Sequence, residues 1–184
     1  MSVVREAIFK LFQVADDSKC ELARRFSFGI FRRYRQNGRF QDLEFLGDGI
    51  LHFEMSILLM YDKKIITPGI LTTECNSAER NINLSQIFDN LGLSIMMEDT
   101  PENNSFKLVS GFSKRKADII ECLIGEIYEI GRDQEVADQL LQRHDINLNK
   151  MVKDIVLAVY ECSKSNELSS QSSCRNDKLK QRRV

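Results

Sequence analysis

The sequence predicts an all-α fold, and three observations carry that expectation. Apolar residues recur at a spacing of three and four through most of the chain, the signature of helices with one buried face. No segment alternates apolar and polar residues over the length of a strand, and no repeat is visible. The 184 residues, 42% hydrophobic and 29% charged with only two Pro, suit one globular domain with a substantial core.

Taken in order, residues 3–15 place Val3, Val4, Ala7, Ile8, Leu11 and Phe12 on one stripe. A second helix is expected from about Glu21 to Arg35 and a third from Asp42 to Tyr61. Thr67-Pro68-Gly69 reads as a turn with Pro near a helix start, predicting a helix over 70–80. Asn83 is the expected cap of a short helix that stops at Gly92. The stretch 93–113, with Pro101 and its neighbours Glu102, Asn103 and Asn104, reads as a long loop. Helical pattern returns over 114–130 and stops at Gly131, followed by amphipathic segments at 133–144 and 146–163. From Ser163 the chain turns to Ser, Asn, Gln and basic residues, a composition expected to be disordered. The expected organisation is a folded unit over 1–163 and a basic tail over 164–184.

Charge narrows little by itself. Twenty-six basic against twenty-seven acidic residues give a net charge of −1, so any attraction to a polyanion must come from local clusters. Five Cys without a CxxC spacing, and no apolar leader, predict free thiols in an intracellular protein of cytoplasm or nucleus. The apolar run Met55–Tyr61 is far shorter than a membrane span, so no membrane partner is expected.

Acids stand where apolar residues would be expected. The third helix, DLEFLGDGILHFEMSILLMY, is apolar nearly all round and predicts a central buried helix, yet it contains Glu44 and Asp48. In KADIIECLIGEIYEIG, Asp118 and Glu121 interrupt a second apolar run. Spacings of four and three leave the members of each pair about 40° and about 60° apart around the helix, so each pair shares a face. Like charges so placed repel, and burying them costs several kcal/mol unless a proton, a basic group or a cation compensates. Two such pairs suggest a single cluster of four carboxylates around metal, and oxygen-only ligands favour Mg²⁺ or Mn²⁺ over Zn²⁺. Taken singly, either pair is also compatible with a solvated helix edge. A di-iron bundle would need Glu-x-x-His twice, and neither His follows a Glu at that distance.

At these residues the chain resembles the ribonuclease III family. Leu43-Glu44-Phe45-Leu46-Gly47-Asp48-Gly49-Ile50-Leu51 is similar to the signature of its catalytic domain, and Ala117 to Tyr128 to its second acidic motif. The intervening Gly69-Ile70-Leu71-Thr72 through Leu91-Gly92-Leu93 also fits, and the likeness covers roughly residues 20–145. It implies the family's all-helical endonuclease fold, a homodimer, and hydrolysis of double-stranded RNA to 5′-phosphate and 3′-hydroxyl ends with short 3′ overhangs. Carried over by position, Glu44, Asp48, Asp118 and Glu121 become the catalytic metal ligands, with Mg²⁺ as cofactor and Mn²⁺ as substitute. A pair of cations about 4 Å apart can supply both an activated water and a stabilised leaving oxygen. No side-chain nucleophile is on offer: the chain has no GxSxG, no P-loop and no Cys beside a His. Phe45 matches a position that packs into the partner subunit, and reads equally as an ordinary core residue.

The chain also departs from the family. Gln41 stands where many relatives have an acid, Cys75 and Arg80 stand where Arg and Asn are usual, and Glu126 replaces a small residue and reads as a surface or paired charge. The early His-x-Ser-aromatic motif is only echoed by Arg25-Phe26-Ser27-Phe28. His52, four residues after Asp48, reads as a helix-edge residue rather than a metal ligand. His144 suits a helix C-terminus.

About twenty residues follow position 163, too few for the double-stranded-RNA-binding domain most relatives append. The expectation is a minimal catalytic module whose affinity comes from basic stretches, or from a separate helper protein. Arg24, Arg25, Arg32, Arg33, Arg35 and Arg39 form an acid-free run beside the first motif, and Lys114, Arg115 and Lys116 precede Asp118 by one turn. The tail adds Arg175, Lys178, Lys180, Arg182 and Arg183. Such runs are also common on solvated surfaces. The sequence thus predicts a dimeric, Mg²⁺-dependent endoribonuclease. Its rival is a non-catalytic RNA-binding or scaffold protein that kept the fold, although such proteins typically lose one or more of the acids retained here.

Overall fold

The computed structural model describes residues 2–16, 39–65, 67–96 and 114–181, and among them all regular structure is helical. The helix expected at 21–35 and most of the 93–113 loop lie outside the described residues. We label the helices α1 (Ser2–Asp16), α2 (Arg39–Ile57), α3 (Pro68–Ala78), α4 (Asn81–Leu91), α5 (Lys114–Gly131), α6 (Gln134–His144) and α7 (Leu148–Gln181). α2 runs on as a π-helical turn over Leu58–Asp62, and a 3₁₀ turn, Leu93–Met96, follows α4.

The middle of the fold is α5 rather than α2. Eleven of its residues are buried, from Lys116 to Ile127, and it packs on α2 along one flank and on α4 along another. α2 shows one stripe to the core, Phe40, Leu43, Gly47, Leu51 and Met55, at the three- and four-residue spacing of a single helical face. Its opposite face leaves Phe45 83% and Phe53 58% exposed. The expectation that α2 is buried all round is therefore corrected: composition reports how apolar a helix is, not how many sides a neighbour covers. α1 contributes Val4, Ile8, Leu11 and Phe12 to the core as its stripe predicts, while Val3 faces outward.

Connections follow local chemistry. Pro68 opens α3 behind Thr67, where its missing N–H costs nothing. Gly92 ends α4 in the left-handed region at φ 67°, which its lack of a β-carbon makes easy. Asn83 does not cap its own helix. It is buried, and its amide donates to the carbonyls of Ser77 and Ala78 at 2.9 Å each, satisfying the last turn of α3 instead. Asp133 caps α6 by accepting from the Val136 amide, and Arg143 and His144 occupy that helix's last turn, where positive charge complements the dipole.

α7 is longer than its pattern predicts. It touches α1 through α5 and continues past the boundary expected at 163 to Gln181. As far as Glu167 the cause is tertiary. Lys164 pairs with Glu74, Glu167 accepts from Ser77 at 2.8 Å, and Asn166 donates to Asn83 Oδ1 at 2.9 Å. These polar residues would not sustain a helix alone, but here they lie along α3 and α4. No described helix is long and apolar enough to cross a membrane.

Candidate functional site

α2 and α5 cross at two glycines. A β-carbon built on Gly47 would lie 1.7 Å from the carbonyl oxygen of Glu121, and one on Gly125 would lie 2.1 Å from that of Leu43. Only residues without a side chain allow backbones this close, so the crossing point is fixed to within one residue on each helix. Glu44 and Asp48 flank Gly47, and Asp118 and Glu121 lie within two turns before Gly125. The crossing thus sets the acidic faces of both helices against each other.

Carboxylate oxygens of Glu44, Asp118 and Glu121 lie within 4.8 Å of one another. Asp118 is buried, Glu44 and Glu121 are half-buried, and Asp48 is exposed at the border of the group. Burial, followed by the charges of Asp48, Asp118 and Glu44, pushes the Glu121 carboxyl up to about 7, against a smaller opposing pull from Lys114. Three converging carboxylates, with Glu121 held toward its protonated form, make a donor set of hard oxygens, and a divalent cation fits that chemistry. Asp48 joins the group through its field on Glu121, standing at the open side.

The other expected site residues divide. Arg32, Arg33 and Arg35, with Arg24 and Arg25, lie outside the described residues. Lys114 and Arg115 are exposed at the start of α5. Arg39 is half-exposed and binds both carboxylate oxygens of Glu129 at 2.6 Å. Lys116 is turned inward with 3% of its side chain exposed. Its ammonium donates to both Asp89 oxygens at 2.7 and 2.8 Å and lies over the Phe88 ring. That corrects its assignment to an RNA-binding patch: one step along a helix moves a side chain about 100°, here from solvent into the core. Glu126 is likewise buried rather than superficial, and Gln41 is exposed. Phe45 is no core residue.

His52 turns toward α3, where its Nδ1 lies 3.0 Å from Glu79 Oε2. Glu79 belongs to no motif in the sequence; its only signal there is an acid one turn after Cys75.

Residues 41–131 match the family model of the ribonuclease III domain, a stretch that contains all four acids and the glycine crossing. No curated protein and no solved structure gives a significant match to the chain.

Proposed function

Residues 41–131 being a ribonuclease III domain, a nuclease domain of a divalent-metal-dependent family, we propose that this chain is an Mg²⁺-dependent endoribonuclease that cuts double-stranded RNA as a homodimer. The observation that supports it is the convergence of Glu44, Asp118 and Glu121 within 4.8 Å. An inert helical scaffold has no use for three repelling carboxylates at the crossing of its two most closely packed helices.

In this reading Glu44, Asp118 and Glu121 hold the cation, with Asp48 as fourth ligand at the exposed edge. When bound, Mg²⁺ supplies charge stabilisation of the scissile phosphate and lowers the pKa of a bound water. The chain's own groups do the rest. Asp118, buried at its base, fixes the position of the group, and the exposed side at Asp48 admits a bulky duplex. Lys114 and Arg115, one turn before Asp118, contact the phosphates that flank the cut, and Arg32, Arg33, Arg35 and Arg39 add to duplex binding. Phe45 docks in a second copy, giving two sites per assembly and products with 5′-phosphate, 3′-hydroxyl and short 3′ overhangs. RNA affinity beyond these contacts falls to a helper protein.

The direct test is incubation of the purified chain with long duplex RNA, with and without Mg²⁺. Cleavage only with metal, lost in Asp118→Asn and Glu121→Gln, is expected. A folded, dimeric protein that leaves the duplex intact across pH and salt would overturn the reading in favour of an RNA-binding scaffold.

A further inference from the structure

Outside the acidic group, a second set of metal-ligating atoms converges between α2 and α3. His52 from α2, Cys75 from α3 and Glu79, the residue that caps the C-terminus of α3, present a ring nitrogen, a thiol sulfur and a carboxylate oxygen that all lie within 4.8 Å of one another. The three differ in exposure: Cys75 is buried, Glu79 half-buried and His52 exposed. Glu79 follows Cys75 by one turn at the C-cap of α3, its amide donating to the Cys75 carbonyl at 2.9 Å, and His52 meets them from across the helix interface.

A bound ion is favoured by more than proximity. Glu79 places two oxygens in this pocket. Oε2 has His52 at 3.0 Å, whereas Oε1 is buried and takes no hydrogen bond from any described residue. A buried carboxylate oxygen without a partner is expensive, and a coordinate bond would repay it. Burial also holds Glu79 and Cys75 toward their protonated forms, with the Asp48 charge adding to the effect on Glu79. Cys75, moreover, is one of the positions at which the chain departs from the ribonuclease III pattern, so the cluster is a property of this sequence.

The donor set selects the ion. A thiol and an imidazole are too soft for Mg²⁺, which prefers oxygen throughout, whereas S, N and O together are the usual ligands of Zn²⁺. Tetrahedral Zn²⁺ with bonds of about 2.0–2.3 Å sets its ligands roughly 3.3–3.8 Å apart. The His52–Glu79 contact at 3.0 Å is already near that edge, and the sulfur, within 4.8 Å of both, need move inward by at most about 1 Å.

We propose that His52 Nδ1, Cys75 Sγ and Glu79 bind one Zn²⁺ that clamps α2 to α3, with water in the fourth position. Binding takes the thiol as thiolate and releases its proton to solvent. The clamp secures α2 one turn after Asp48, so it braces the helix that carries Glu44 and Asp48 without sharing their ligands. The inference stands apart from the nuclease reading and survives its failure.

Co²⁺ is the probe, because a thiolate ligand gives it a charge-transfer band and a tetrahedral site gives intense visible bands. Titrating the intact, metal-stripped chain should develop both bands to one equivalent, with Zn²⁺ bleaching them and millimolar Mg²⁺ leaving them unchanged. Cys75→Ser should abolish the charge-transfer band. His52→Gln, at an exposed position that leaves the fold intact, should weaken Zn²⁺ binding by at least about tenfold. Asp118→Asn should develop the same charge-transfer and visible bands as the parent over the same Co²⁺ range, which separates this site from the acidic one. Absence of the bands in the parent chain, their persistence in Cys75→Ser, or unchanged affinity in His52→Gln would each overturn the proposal.

Discussion

Gly47 and Gly125 face each other backbone to backbone: a β-carbon on Gly47 would stand 2.9 Å from the Gly125 nitrogen, and one on Gly125 3.0 Å from the Gly47 nitrogen. This contact, rather than any bond between the acids, brings the two acidic helices to one place. Both β-carbons would also collide with carbonyl oxygens at 1.7 and 2.1 Å, which are backbone atoms and cannot step aside.

Gly47→Ala or Gly125→Ala should therefore force α2 and α5 apart. Overpacking a core by single methyl groups costs about 1–3 kcal/mol when side chains can adjust. Here only backbone can adjust, and the loss should reach the top of that range or exceed it. Chemical denaturation would show it as a fall in midpoint. Any fraction that still folds should lose its Mg²⁺ response, because the carboxylates separate with the helices.

Glu121 makes the metal-free protein sensitive to pH in a stated direction. Its carboxyl is pushed up to about 7 in the fold, against about 4.3 in an unfolded chain. Between those values the folded state keeps a proton that the unfolded state has lost, so stability falls as pH rises through the window and levels off above about 7. Added Mg²⁺ replaces that proton. Thermal melts should show the metal-free protein losing stability from pH 5 to 7.5, with Mg²⁺ restoring more of it at pH 7.5 than at pH 5. A Mg²⁺ shift that is larger at pH 5 would contradict the assignment.

Relieving the repulsion should trade activity for stability. Glu121→Gln removes a half-buried charge facing Asp48, Asp118 and Glu44 and should raise the melting temperature of the metal-free protein at pH 7.5. The same change should abolish Mg²⁺-induced stabilisation and RNA cleavage. An ordinary structural ion pair would behave in the opposite way, losing stability when its acid is neutralised.

The residues that were legible in the sequence are those whose signal is local. Gly92 ends α4 because its own backbone conformation asks for glycine, and Pro68 starts α3 for an equally local reason. The acids stood out because a charge inside an apolar run is costly wherever the helix packs. What escaped was set by neighbours far along the chain. Asn83 has the composition of a cap, and only α3 packed beside it decides which helix it caps. α2 reads as buried throughout because nothing in its own residues records that one face has no neighbour among the described residues. α7 outruns its apolar pattern as far as Glu167 because Lys164, Asn166 and Glu167 find partners on α3 and α4. Glu79 meets His52 across 27 positions, a pairing that periodicity within either helix does not encode.

Phe45 is the residue through which the assembly can be tested. A phenylalanine 83% exposed beside the buried stripe of α2, with Phe53 and Met60 also partly exposed, is a surface suited to a second copy. Phe45→Asp should convert the dimer to a monomer by light scattering while leaving helicity and the melting profile of the isolated subunit nearly unchanged. A parent chain that is monomeric at micromolar concentration would remove the homodimer from the reading.

The basic residues before Asp118 should separate by function. Lys114 and Arg115 are exposed and precede Asp118 by one turn, so on the proposed function replacing both by Ala should weaken duplex binding and flatten its dependence on salt by about two phosphate contacts. Lys116 should behave otherwise. Its ammonium is spent on Asp89, with 3% of the side chain exposed, and Asp89 itself is partly solvated. Lys116→Ala should lower stability by about 1–3 kcal/mol, the range for losing a buried charged hydrogen bond, while the salt slope of RNA binding stays at the parent value. Equal effects of all three residues on that slope would mean that Lys116 leaves Asp89 when RNA arrives.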